Sequence, residues 1–112
     1  NKITSTTVAQ VLTEMVRGDE PQWSTIATGL PVAGRTGTLD SRFDTKKTRV
    51  GAGVVRAKTG SLTGVSALAG TVLDKSGRLL VFVMMGNKVG SITSARNSMD
   101  LIAAKLARCG CQ

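Results

Sequence analysis

Val55-Arg56-Ala57-Lys58-Thr59-Gly60-Ser61-Leu62-Thr63-Gly64 is the stretch on which the fold turns. A short apolar lead runs into Lys-Thr-Gly, a hydroxyl residue follows, and a glycine-broken turn opens a second apolar segment. Val54 to Lys58 is expected as a strand that ends at the Lys-Thr-Gly turn, and Ala67 to Leu73 as the next strand. Asp74-Lys75-Ser76-Gly77 reads as a hairpin turn in which Gly77 supplies a positive φ. Leu79 to Met85 is apolar at every position, which predicts a third strand covered on both faces. Connections this short make the strands antiparallel.

Working outward, Val8, Val11, Leu12, Met15 and Val16 recur at helical spacing, so Thr4 to Arg17 is expected to be an amphipathic helix. Ser5 or Thr6 can cap its start and Gly18 can end it. Pro21 and Trp23 begin a second short segment that continues to Thr28. Gly29 to Leu39 is rich in turn formers. Asp40 to Val50 is polar and expected to be exposed, an irregular stretch of the kind that often serves as a functional loop. Ser94 to Arg108 closes the chain as a helix, with Ala95, Met99, Ile102, Ala103 and Leu106 on one face for covering the sheet. Lys105 and Arg108 lie near its C-terminus, where the helix dipole favours cations. The pattern is that of an α+β fold, an antiparallel sheet covered by helices, in a single domain over residues 1–112.

Composition narrows the function. The chain of 112 residues is 41% apolar, enough for a modest core. No apolar run reaches the ~18 residues of a membrane span. The net charge of +8, from 15 Lys and Arg against 7 Asp and Glu, favours anionic partners. Arg42, Lys46, Lys47, Arg49, Arg56 and Lys58 are the densest cluster, and the plain reading of them is a solvated loop followed by a strand. Nucleic-acid binding calls for aromatic stacking platforms. With no Tyr, and only Trp23, Phe43 and Phe82, no nucleic-acid partner is expected. The absence of His excludes a Ser-His-Asp triad completed within the chain and a His-ligated metal site. Acyl-transfer chemistry here must use Lys as base or borrow groups from elsewhere. Cys109 and Cys111 are too few for a structural zinc site. A disulfide across one residue fits the Cα window poorly. Pairing with a cysteine outside the chain and a frayed tail with free thiols both remain open. No metal and no cofactor is expected. The chain opens at Asn1 in the lead-in to a helix, with no starting Met and no signal-peptide pattern, which suggests a processed product or a piece of a longer polypeptide.

Lys-Thr-Gly next to a strand has a chemical use. The Lys58 ammonium is a fixed positive charge that can orient a substrate carboxylate and assist proton movement near a nucleophilic serine. The Thr59 hydroxyl can bond the same carboxylate. Gly60 removes a side chain, so substrate backbone can lie against the strand by edge pairing. Ser61 can offer its N–H to a tetrahedral oxyanion, a donor worth about 3–4 kcal/mol in such chemistry. Any strand can carry this tripeptide; what raises its weight is the hairpin and closing helix that follow.

Gly29-Leu30-Pro31-Val32-Ala33-Gly34, Arg35-Thr36-Gly37-Thr38-Leu39 with Arg42-Phe43, and Val55 through Ser66 together resemble the C-terminal third of the D-alanyl-D-alanine carboxypeptidase/endopeptidase family, the class C penicillin-binding proteins, with a spelling closest to actinobacterial members. The resemblance covers nearly the whole chain in order. It implies the C-terminal part of the penicillin-recognising (DD-peptidase/β-lactamase-like) fold. It implies hydrolysis of terminal D-Ala-D-Ala bonds or D-Ala crosslinks of peptidoglycan stem peptides through a serine acyl-enzyme, acylation by β-lactams, and an extracytoplasmic location. Lys58, Thr59 and Gly60 match the family's third motif, Lys58 as the catalytic group. Ser61 takes the place of the residue whose N–H completes the oxyanion hole. The family's Ser-x-Asn motif precedes this segment, so Asn1 is that Asn or its neighbour.

Two departures matter. No Ser in the chain has Lys three residues on, so the nucleophile and its partner Lys are missing, and the second-motif Ser is missing too. The resemblance therefore implies that the chain is inactive alone and that its first partner is the N-terminal part of the same enzyme. An N-terminal-nucleophile hydrolase is disfavoured because residue 1 is Asn. The competing reading is a non-catalytic basic fragment that binds wall polymer or a partner. A related β-lactamase is disfavoured by Leu30-Pro31-Val32-Ala33-Gly34.

Overall fold

Alternation of apolar and small residues builds a three-stranded antiparallel sheet in the order β1-β2-β3. The strands are β1 (Val55–Leu62), β2 (Val65–Leu73) and β3 (Leu79–Asn87), flanked by helices α1 (Ser5–Arg17) and α2 (Ile92–Arg108). The computed structural model describes residues 4–17, 28–62, 65–87 and 91–110. Gly18, the segment from Pro21 to residue 27, Asn1, Thr63 and Gly64 lie outside the described residues.

β1 does not stop at Lys58. It runs on through Thr59 and Gly60 because β2 offers a partner to each, Lys58 to Ala69, Thr59 to Leu68 and Gly60 to Ala67. Tertiary pairing overrides the local turn signal. Antiparallel partners share a face, so Val55, Ala57 and Thr59 lie with Leu68, Gly70 and Val72 and with Leu80, Phe82 and Met84. That face is the core: Val55, Ala57, Leu68 and Val72 are fully buried beneath Met99, Ala103 and Ala107 of α2. Arg56, Lys58, Ala69, Val81, Val83 and Met85 fall on the opposite face, where α1 packs over β3 and β2 with Leu12 and Met15 buried. β3 is covered on the core face at Phe82, which is buried, while on the opposite face Val81 and Val83 are half-buried and the ends stand open, Leu79 50% and Met85 44% exposed.

Residues 40–50 are exposed as their polarity predicts, except Phe43 and Thr48, which are buried, and Arg42, which is half-buried. Phe43 is buried in the core with φ 62, a left-handed value rare for an aromatic residue. The segment wraps this ring, with 3₁₀ turns at Gly37–Leu39 and Arg49–Gly51 on either side. A Cβ on Gly51 would sit 2.8 Å from the ring. Arg42 reaches across to α2, donating to both carboxylate oxygens of the buried Asp100 at 3.0 and 2.5 Å.

The helix ends follow capping rules with one change. The Thr7 N–H donates to Thr4 Oγ1 at 3.1 Å, so Thr4, and not Ser5 or Thr6, bonds the first turn of α1. Ser91 caps α2 by accepting from the Ser94 N–H, and Lys105 and Arg108 occupy its last turn. The β2–β3 turn has Gly77 at φ 88, as expected. Its Asp74 carboxylate accepts from the N–H groups of Ser76 and Arg78 and from the Ser76 hydroxyl. Burial pushes this carboxyl up, but those bonds outweigh it and hold it below its ordinary value. Cys109 is disulfide-bonded, which removes the free-thiol reading for it.

Candidate active site

The outer edge of β1 is divided in two. Along its first half the segment 31–33 pairs with it: the Ala33 N–H donates to the Val55 carbonyl at 2.9 Å and the Ala57 N–H to the Pro31 carbonyl at 3.0 Å. In an antiparallel ladder, alternate residues bond to alternate sides. Val55 and Ala57 therefore turn their backbone groups outward, and so do Thr59 and Ser61. Among the described residues no strand pairs with that second half.

Lys58 is exposed on the face that carries α1, and its ammonium donates to the Thr59 carbonyl at 2.9 Å. Arg56 lies exposed on the same face. The half-buried Thr59 side chain points to the other face, its hydroxyl donating to the Thr38 hydroxyl at 3.2 Å. A single carboxylate meets both Lys58 and Thr59 only if it sits at the strand edge, between the faces. Gly60 is exposed, and an added Cβ would meet only the Ala67 methyl at 3.6 Å. Packing does not require glycine there, whereas close approach of another backbone would. Ser61 continues the strand opposite Ser66.

The basic cluster of the sequence is split by the fold. Arg42, Lys46 and Lys47 line a cleft of about 540 Å³ with Arg96, between residues 38–48 and α2. Arg56 and Lys58 do not share it. Cavities of about 540, 520 and 470 Å³ occur among the described residues, and none takes in Lys58, which stands on an open wall. Burial pushes the Asp100 carboxyl up, against the opposing hydrogen bonds and charge of Arg42. Sequence reading missed two features. The Arg42–Asp100 pair had a signal, a lone carboxylate among the apolar positions Met99, Ala103 and Ala107 of α2. The Thr38–Thr59 contact had none, since it depends on tertiary placement.

The D-Ala-D-Ala carboxypeptidase 3 (S13) family matches residues 1–108. The chain belongs to this family. It is 43% identical to carboxypeptidase DacB of Mycolicibacterium smegmatis over 112 residues, which is 99% of this chain and 24% of that protein. Among solved structures, penicillin binding protein 4 of Haemophilus influenzae superposes with a TM-score of 0.68 at 26% identity, over 92% of this chain and 22% of that one. The same protein in complex with a β-lactam gives 0.66 at 28% identity, over 92% of this chain and 23% of that one. The chain thus spans about a quarter of the length of the relatives it matches. The carboxypeptidase-family sheet and helices described above are the C-terminal part of the penicillin-recognising fold. Among the described residues of this family member, no helix is long and apolar enough to cross a membrane.

Proposed function

We propose that this chain supplies the Lys-Thr-Gly wall of a serine D-Ala-D-Ala carboxypeptidase whose nucleophile lies on the portion it does not span. Family membership supports the reaction class. The observation that carries the reading is the open second half of the β1 edge, where Thr59 and Ser61 turn backbone groups outward beside the exposed Lys58. A peptidoglycan stem peptide laid along that edge gains main-chain hydrogen bonds without meeting a side chain at Gly60. Its terminal carboxylate seats at the strand edge between the Lys58 ammonium and the Thr59 hydroxyl. The nucleophilic serine of the partner portion gives up its proton and adds to the D-Ala carbonyl. The Ser61 N–H stabilises the resulting oxyanion. The C–N bond then breaks, the proton passes to the leaving D-Ala amine, and water hydrolyses the remaining ester. A β-lactam enters by the same addition and stops at the acyl-enzyme. Asn1 stands as the remnant of the second motif, and the site of action is extracytoplasmic.

Fluorescent penicillin labelling of the assembled enzyme tests this. Label is expected only when the nucleophile-bearing portion is present, and Lys58→Ala should lower the acylation rate roughly a hundredfold, as loss of one electrostatic stabiliser does. Thermal stability should hold, because among the described residues the Lys58 ammonium bonds only the adjacent Thr59 carbonyl. Undiminished acylation in Lys58→Ala would reject the role given to it. Label on no associated chain would favour the non-catalytic reading.

A further inference from the structure

We infer that Thr38 is a positioning residue of the proposed site: its hydroxyl turns the Thr59 O–H toward the terminal carboxylate of the substrate. This rests on the reading that the carboxylate seats at Thr59. A hydroxyl has one proton and two lone pairs to offer. In the free chain the Thr59 hydroxyl donates its proton to Thr38 Oγ1 at 3.2 Å. A carboxylate only accepts, so Thr59 meets it by withdrawing that proton from Thr38. The two oxygens then face each other lone pair to lone pair unless Thr38 donates in its turn. Thr38 has a proton to give, since among the described residues its hydroxyl has no hydrogen-bond partner but Thr59. Substrate binding therefore reverses the bond. Thr38 donates to Thr59 Oγ1, Thr59 donates to the carboxylate, and each bond polarises the other.

The turn that carries Thr38 is tied down on two sides. Leu39, the next residue, is fully buried, and its carbonyl accepts from the N–H groups of Gly34 at 2.8 Å and Arg42 at 3.2 Å. The Arg42 side chain is held in turn by Asp100 of α2. On the other side Gly37, at φ 60, lies so close to Pro31 that an added Cβ would sit 3.0 Å from the proline ring. Pro31 accepts the Ala57 N–H, two residues before Thr59. The turn is thus strapped to β1 and to α2 at once, and Thr38 is held in place against Thr59. Thr38 itself is exposed and adds nothing to the core. Among the described residues its hydroxyl bonds no backbone group, whereas Thr36 steadies the turn by accepting the Val32 N–H at 2.9 Å. Neither packing nor turn geometry uses the Thr38 hydroxyl; only Thr59 does.

The test uses the assembled enzyme and two thioester substrates that share one acyl group. The leaving group of the first carries a carboxylate, and in the second the same carboxylate is a methyl ester. The ratio of kcat/KM for the charged substrate over the neutral one reads carboxylate recognition. Both are measured on one preparation, so any loss of folded enzyme cancels. Thr38→Val, which keeps the shape and removes the hydroxyl, should lower the ratio roughly tenfold, as loss of a hydrogen bond supporting a charged group does. Thr38→Ser, which keeps a hydroxyl, should hold the wild-type ratio, and Thr59→Val should lower it. A wild-type ratio in Thr38→Val beside a lowered one in Thr59→Val overturns the inference and leaves the seating of the carboxylate standing. A raised ratio in Thr38→Val overturns it too, because Thr38 then competes with substrate for the Thr59 proton. So does a ratio in Thr38→Ser as low as in Thr38→Val, because the methyl group and not the hydroxyl is then at work. A wild-type ratio in Thr59→Val overturns the seating of the carboxylate and the inference with it.

Discussion

Replacing Gly70 by Ala tests the register on which the placement of Lys58 depends. Gly70 lies opposite Ala57 on the core face. A Cβ there would overlap the Arg56 carbonyl oxygen and lie 2.6 Å from Ala57 Cα and 2.8 Å from its Cβ. These atoms belong to the neighbouring strand and cannot rotate away. Overpacking that side chains can partly relieve costs about 1–3 kcal/mol, so an unrelieved clash with backbone should cost about 3 kcal/mol or more. At about 4–8 °C per kcal/mol for a small domain, the melting temperature should fall by about 12 °C or more. Gly60→Ala is the matched control. Its methyl meets nothing closer than 3.6 Å, and it lies on the Lys58 face. Stability should be unchanged or slightly raised, since Gly inside a strand costs about 0.5–1 kcal/mol against Ala. Penicillin labelling of the assembled enzyme should nevertheless drop, because the methyl meets the incoming substrate backbone. Thermal unfolding by circular dichroism, beside labelling, reads both. A Gly70→Ala variant that melts with the wild type, or a Gly60→Ala variant as unstable as Gly70→Ala, would refute the register argument.

Arg42→Ala should destabilise by about 3 kcal/mol or more, because it leaves Asp100 buried and unpaired. Without the guanidinium, burial raises the Asp100 carboxyl further, so the variant's deficit should be largest at neutral pH and shrink as Asp100 protonates on acidification; denaturant titrations across pH would show a flat deficit if the pair is idle. The converse holds at Asp74, whose folded carboxyl is held below its ordinary 3.8. Its stabilising contribution is present above that value and is lost as pH falls through the lowered one. Asp74→Ala should therefore melt below the wild type at pH 7 and match it in strong acid, and equal melting at pH 7 would show that the turn does not need the carboxylate.

The sequence disclosed the elements whose periodicity is set locally. The three strands, both helices and the Gly77 turn lie where spacing put them. Where it failed, a distant partner decided. Thr59 and Gly60 read as a turn because Gly60 disfavours a strand, yet Leu68 and Ala67 pair with them and extend β1 to Leu62. Asp40 to Val50 read as exposed and mostly is; what the reading missed is that Phe43 within it closes the core and that Arg42 is held by a carboxylate 58 positions along the chain. At the site, Lys-Thr-Gly was legible as a motif. That strand alternation sends Lys58 and Thr59 to opposite faces became visible only once the strand was seen to run through both.

Pro31 has a part beyond marking a bend. Its carbonyl accepts the Ala57 N–H, but a proline has no N–H to return to the Ala57 carbonyl. The zip between segment 31–33 and β1 therefore halts after two rungs, at the residue before Lys58. An imino acid in a connecting loop thus sets how much of the strand edge stays open: with any other residue there the loop could keep closing over it and cover the backbone groups proposed to receive substrate.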